Sequence, residues 1–253
     1  MTAAAIDLNC DLGEGLSLYR LGDDAALLDI VTSANLACGF HAGDPAIMAR
    51  TVRLAAERGV AIGAHPGLPD LQGFGRRDMA ITADEAYQMV LYQIGALSGF
   101  VRAIGAKLHH VKPHGALYNM AAADPGLSRA IARAVRDFDP ALHLVGLAGS
   151  ELVRKAESAG LHAVNEVFAD RAYRSDGSLA SRAAPGAVIH DVDAVVARAL
   201  QMMRDGTVES IDGGTVAIVA HTICVHSDTP GSVALARALR KALTAEGVEL
   251  RAT

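Results

Sequence analysis

Short apolar runs alternate along the chain with longer segments that carry helix start and stop signals. The runs Ala5–Cys10, Ser33–Cys38, Val60–Ala64, Leu108–Lys112, His143–Leu147, Ala163–Val167 and Val216–Val225 predict strands. Between them, Asp44-Pro45 places an N-cap before a proline at the first helical position, and Gly59 ends that run after Arg58. Thr82 with Glu85 forms a capping box, and Gly105 closes the helix it opens. Asp124-Pro125 and Thr229-Pro230 repeat the cap-then-proline arrangement, and Asp191 opens another helix. Gly160, Gly206 and Gly247 stand at the expected stops. Strand–helix alternation argues for a parallel sheet with helical crossovers. About seven such units predict one α/β domain, a closed or nearly closed parallel β/α barrel spanning residues 1–253. The alternative is an open doubly wound sheet, which the absence of G-x-G-x-x-G after the first strand disfavours.

Polar residues gather where these strands end. Strand one finishes at Asp7, Asn9 and Asp11, then Glu14. Strand two leads to His41 and Asp44, strand three to His65 and Asp70. Strand four carries His110, Lys112 and His114, the next-to-last runs through Glu166 to Asp170 and Arg171, and the last reaches His226 and Asp228. In a parallel barrel these ends meet on one face, where barrel enzymes place their sites. Side-chain alternation puts Asp7, Asn9 and Asp11 on one side of strand one and Ile6, Leu8 and Cys10 on the other. The first set would line the barrel interior and mouth, the second would pack under helices. Burying so many ionisable groups costs several kcal/mol unless they are paired or bind something.

Composition narrows the function classes. Across 253 residues, tryptophan is absent, aromatics make up 4% and the formal net charge is −5, which argues against a nucleic-acid reader. Met1 to Ala5 lacks a secretory n-region, and no apolar run approaches the roughly 18 residues of a membrane helix. Cys10, Cys38 and Cys224 are odd in number and widely spaced, as in a cytoplasmic chain with reduced thiols.

Several roles stay open from the residues alone. His41 and His65 could ligate a divalent metal with Asp11, or form a polar cluster that touches substrate. Asp11 and Glu14 could act as general base and partner, since close carboxylates push their pKa values apart. Lys112 could stabilise an oxyanion with His114 carrying protons, or Lys112 could be a structural partner of Glu166 or Asp170. Asn9, His41, His65, Glu166, Asp170, Arg171, His226 and Asp228 are candidate substrate contacts, although Asp228 could instead cap the last helix with Thr229. The loop Gly73–Arg77 could hold an anion or be a solvated turn. The cysteines read as small core residues, with Cys38 the one candidate nucleophile.

Six ordered stretches resemble the LamB/YcsF family. They are Asp7-Leu8-Asn9-Cys10-Asp11-Leu12-Gly13-Glu14, Ala34 through Asp44, Ala64-His65-Pro66-Gly67-Leu68-Pro69-Asp70, Val111 through Asn119, Glu166 through Arg171, and Val225 through Gly231. The resemblance implies a seven-stranded β/α barrel similar to the glycoside hydrolase and polysaccharide deacetylase barrels. It implies the A subunit of a three-part 5-oxoprolinase, which opens 5-oxo-L-proline to L-glutamate at the expense of ATP, together with separate subunits B and C. No Walker-type G-x-x-x-x-G-K-[ST] is present, so ATP, with Mg, is expected to act through the partner subunits. Homo-oligomerisation stays open. The competing expectations are a metal-dependent, deacetylase-like amidohydrolase and a non-catalytic substrate-binding subunit.

Overall fold

The helix signals are realised by side chains in place. In the computed structural model, which describes residues 5–253, the Asp44 carboxylate accepts from the backbone N–H groups of Ala46 and Ile47 at 2.8 and 2.9 Å. Thr82 and Glu85 complete their reciprocal capping box. Met1–Ala4, read above for a secretory signal, lie outside the described residues. The helices are α1 (Asp24–Leu28), α2 (Pro45–Glu57), α3 (Ala83–Ala103), α4 (Gly115–Ala123), α5 (Pro125–Phe138), α6 (Glu151–Ser158), α7 (Val192–Asp205) and α8 (Ser232–Ala245). Among the described residues, no helix is long and apolar enough to cross a membrane.

The strands are β1 (Ala5–Leu12), β2 (Ser33–Ala37), β3 (Ala61–His65), β4 (Leu108–Val111), β5 (His143–Leu147), β6 (His162–Val167), β7 (Thr207–Glu209), β8 (Thr215–Ala217), β9 (Thr222–His226) and β10 (Glu249–Leu250). β1 to β6 pair in order, β9 pairs with β6, and β9 returns to β1 in register Asp7↔Thr222 through Asp11↔His226. These seven parallel strands therefore close into a barrel, with β10 added to the start of β1.

Two sequence expectations need correction. The apolar run Val216–Val225 is not one strand. Gly213 and Gly214, both at φ +89°, turn the chain so that β8 folds back antiparallel on β7, and only β9 joins the barrel. The last helix begins after Gly231, whose φ is +82°, and not at Thr229. Thr229-Pro230 instead lies in a turn closed by Ser232 N–H donating to the Thr229 carbonyl.

Alternation along β1 divides the molecule. Leu8, Cys10 and Leu12 join the apolar layer that also holds Val52, Ile94, Leu97 and Leu239 from the surrounding helices. Asp7, Asn9 and Asp11 face the interior, where each is hydrogen-bonded. Asp7 accepts from Thr32, Ser33 and Thr222 at 2.5, 2.7 and 2.6 Å. Asn9 donates to Glu166 and Thr222, and Asn35 donates to both Asn9 and Asp11. Pairing of this kind removes the penalty of leaving polar groups buried without partners.

Gly63 makes room for the next layer. It lies opposite His110 in the β3–β4 register, and a Cβ there would overlap the His110 Nε2 that donates to Asn35. Gly63→Ala is expected to destabilise the fold at the upper end of the ~1–3 kcal/mol typical of overpacking, with partial rescue by His110→Ala. Urea denaturation midpoints of the two variants check this.

Candidate active site

Lys112, one residue past β4, reaches into the barrel and is buried to 2% exposure. Its ammonium donates to Asp11 at 2.9 Å and meets Glu166 at 2.7 Å, with Asn9 Oδ1 at 3.3 Å and Cys224 Sγ at 3.1 Å. Burial disfavours the charged amine, but Asp11, Cys224 and Glu166 outweigh it and hold Lys112 well above the ordinary lysine value. Burial likewise opposes ionisation of Asp11. Here His65, at 3.4 Å, and Lys112 prevail, so Asp11 stays ionised far below the usual carboxylate range. Glu14 moves the other way, because burial and the Asp11 and Asp228 carboxylates all raise it. The two carboxylates are thus pushed apart, as their spacing suggests.

A histidine cluster flanks this pair. His41 stacks on His114 with ring centroids 3.7 Å apart, and His65 meets both edge-on. Burial pushes His41 and His114 down, and the neighbouring imidazoles push them further. His114 Nε2 donates to the Phe74 carbonyl at 2.8 Å. Phe74 holds φ at +55°, a conformation that costs a bulky residue roughly 1 kcal/mol or more and aims its carbonyl at the cluster. On the other wall, His226 Nδ1 is 2.9 Å from Asp170. Asp170 is held below the ordinary value because His226 overcomes the effect of burial.

A cavity of about 810 Å³ opens over these groups. Asp11, His65, Lys112, His114, Arg171 and His226 line it, joined by Arg76 and Arg182. Other expected substrate contacts lie behind its wall. Asn9 and Glu166 are consumed by the interior network, His41 is packed beneath Gly67 and Gly75, Asp170 supports His226, and Asp228 pairs with Arg76 at 2.8 Å and caps no helix. Of the expected metal trio, Asp11 gives its Oδ1 to Lys112 and Asn35 and keeps its Oδ2 3.4 Å from His65, while Glu14 converges with His41, His65 and His114.

The Gly73–Arg77 loop divides its cations. Arg77 pairs with Asp70, while Arg76 turns toward the cavity. Cys10, Cys38 and Cys224 are free and buried. Burial pushes the Cys38 thiol up to about 12, which removes it as a nucleophile. Arg182 escaped the sequence reading. It lies in a segment with no regular secondary structure, and only the fold carries it to the barrel mouth.

The LamB/YcsF family profile matches residues 6–253. The chain belongs to the LamB/YcsF family. A Bacillus subtilis relative, named as the A subunit of 5-oxoprolinase, is 58% identical, with 98% of this chain and 96% of that one covered. A crystal structure of a lactam utilization protein from Thermus thermophilus superposes with a TM-score of 0.93 at 52% identity, over 98% of this chain and all of the other. A T48 deacetylase superposes with a TM-score of 0.50 at 18% identity, covering 98% of this chain and 88% of its own, a likeness of barrel fold alone.

In this LamB/YcsF barrel, Lys112 is the cation between two interior carboxylates, so Lys112→Met leaves both unpaired. The expected loss is about 3–5 kcal/mol of unfolding free energy. Adding Asp11→Asn and Glu166→Gln should recover most of it, as read by chemical denaturation of the single and triple variants.

Proposed function

We propose that this chain is the hydrolytic A subunit of an ATP-dependent 5-oxoprolinase, converting 5-oxo-L-proline to L-glutamate in the cytoplasm with partner subunits B and C. The observation that carries this reading is the 58% identity, over nearly both full lengths, with the Bacillus subtilis protein of that name.

The cavity chemistry supports it. A five-membered lactam resists water because its amide is resonance-stabilised, and phosphorylation of the amide oxygen by ATP would activate the ring carbonyl. This chain carries no Walker-type loop, so that step, with its Mg, belongs to the partners. Arg76, Arg171 and Arg182 give the cavity positive charge for a carboxylate or phosphate. Arg171 spends part of its guanidinium on the Ala180 and Ala187 carbonyls, which fixes its direction.

Hydrolysis of the phosphorylated lactam requires a new bond from water oxygen to the ring carbon, cleavage of the carbon–nitrogen bond and a proton for the departing nitrogen. This leaves a γ-glutamyl phosphate, and a second water then cleaves that acyl phosphate to L-glutamate and inorganic phosphate. Ionised Asp11 accepts the proton from water. Lys112, beside it, favours the negative charge that develops on oxygen. His226 neighbours Asp11 across the β1–β9 register and is oriented by Asp170, so it delivers the proton to nitrogen. In this reading His226 takes the proton-carrying role given above to His114, because His114 Nε2 donates to the Phe74 carbonyl and its Nδ1 faces His65 and Glu14.

Asp11→Asn is expected to lower ATP-dependent glutamate release by at least ~10²-fold with an unchanged circular dichroism spectrum. The assay adds purified protein and ATP to an extract lacking only this chain. Near-normal turnover by the variant would remove Asp11 from the chemistry. Failure of the wild-type chain in an extract with competent partners would overturn the 5-oxoprolinase reading.

A further inference from the structure

Hydrogen bonds to carbonyl oxygens fix two imidazole tautomers at the barrel mouth. A carbonyl only accepts, so His65 Nδ1, 2.7 Å from the Lys112 oxygen, carries a proton. His114 Nε2 carries one for the same reason, at 2.8 Å from the Phe74 oxygen. In the neutral rings, His65 Nε2 and His114 Nδ1 are then both lone-pair nitrogens, yet they face each other at 3.0 Å. Carboxylate oxygens crowd the same place. Glu14 Oε1 is 3.4 Å from His114 Nδ1 and 3.5 Å from His41 Nε2, and Asp11 Oδ2 is 3.4 Å from His65 Nε2. Such a convergence of electron-rich atoms repels itself unless a metal cation or an extra proton stands among them, and a metal can engage all four groups at once.

The cluster also holds unsatisfied atoms. Glu14 Oε1 and both nitrogens of His41 are buried without a hydrogen-bond partner. Among the described residues, the ion-pair contacts of Glu14 are His41 and His114 alone, since Lys112 is taken by Asp11 and Glu166, and Arg76 by Asp228. One ligand atom from each of Glu14, His41, His65 and His114 lies within 4.8 Å of the others. Backbone glycines press the rings into place. A Cβ at Gly67 would overlap His41 Nδ1, and one at Gly75 would fall 3.0 Å from His114 Cδ2.

We propose that Glu14, His41, His65 and His114 form a binding site for one divalent first-row transition metal of the zinc class. Three imidazoles and a carboxylate suit zinc and its neighbours and not magnesium, whose preference is for oxygen. The carbonyls of Lys112 and Phe74 supply the outer contacts that hold ligating histidines in the required tautomer. A second group, Asp11, Cys224 and His226, is no competitor, because the Lys112 ammonium already contacts Asp11 and Cys224. The site follows from these contacts whatever the barrel hydrolyses. His65 and His114 also line the cavity, so an ion held here would border the substrate.

The test uses the full chain, stripped with a chelator and titrated with zinc(II) and, separately, cobalt(II). The expected result is one bound equivalent by elemental analysis and a visible cobalt spectrum of low coordination number. Glu14→Gln and His114→Gln should each weaken binding by more than the ~10–100-fold typical of outer-contact changes. Nitrogen-15 imidazole spectra of the wild-type chain give a readout that does not depend on how the variants fold. Movement of the His41, His65 and His114 signals on zinc addition supports the site. An imidazolium shared by His65 and His114 that is indifferent to zinc overturns it, as does the absence of a bound ion or an unchanged affinity in both folded variants.

Discussion

The contact of one ammonium with two carboxylates inside a closed barrel sets the terms for everything around it. Lys112 reaches Asp11 on β1 and Glu166 on β6, so a single side chain ties together three strands that are distant in sequence. Each charge would cost several kcal/mol if buried alone. Because the three are buried together, the barrel axis tolerates a polar filling in place of the layered aliphatic side chains usual in β/α barrels. That filling runs without a break from Asp7, through Asn9, Asn35 and His110, to Asp11 at the mouth. The reactive end of the site therefore rests on a rigid hydrogen-bonded column.

The outer layer answers a different constraint. With no tryptophan and few aromatics, the space between sheet and helices is filled by leucine, isoleucine, valine and alanine. Small side chains let the helices pack close to the strands. Phe74, Phe168 and the histidines pack edge-on or stacked at the site, while Tyr87, Phe100 and Phe138 pack against the outer core. Apolar packing on one face of each strand and hydrogen bonding on the other thus divide stability from chemistry within the same residues.

Much of this was legible in the sequence, because it depends on local rules. Capping at Asp44, Thr82, Asp124 and Asp191 follows from side chains reaching their own backbone, which needs no knowledge of the fold. The alternation Asp7, Asn9, Asp11 foretold the polar interior for the same reason. What escaped depended on distant partners. Asp228 reads equally well as a cap until Arg76 arrives from another loop to claim it. Asp11 was placed with His41 and His65, and the fold adds what no spacing showed: Lys112 and Asn35 on its Oδ1, and Glu14 among the histidines. The split of Val216–Val225 was visible in principle through Gly213-Gly214, a hairpin signal hidden by the apolar run beside it.

Closure of the barrel has a temporal side. β1 is flanked by β2 on one edge and by β9 on the other, and its first residues also pair with β10. The second edge of β1 is supplied by residues 222–226, near the opposite end of the chain. At ~5–20 residues per second, about 10–40 s of synthesis separate β2 from that partner. Throughout this interval the emerging chain presents an open edge of parallel strand rich in unpaired backbone groups, the kind of surface that recruits other chains. Native pairing of that edge is non-local and so intrinsically slow. The feature that gives the finished molecule no barrel edge thus leaves its nascent form with one until residues 222–226 emerge.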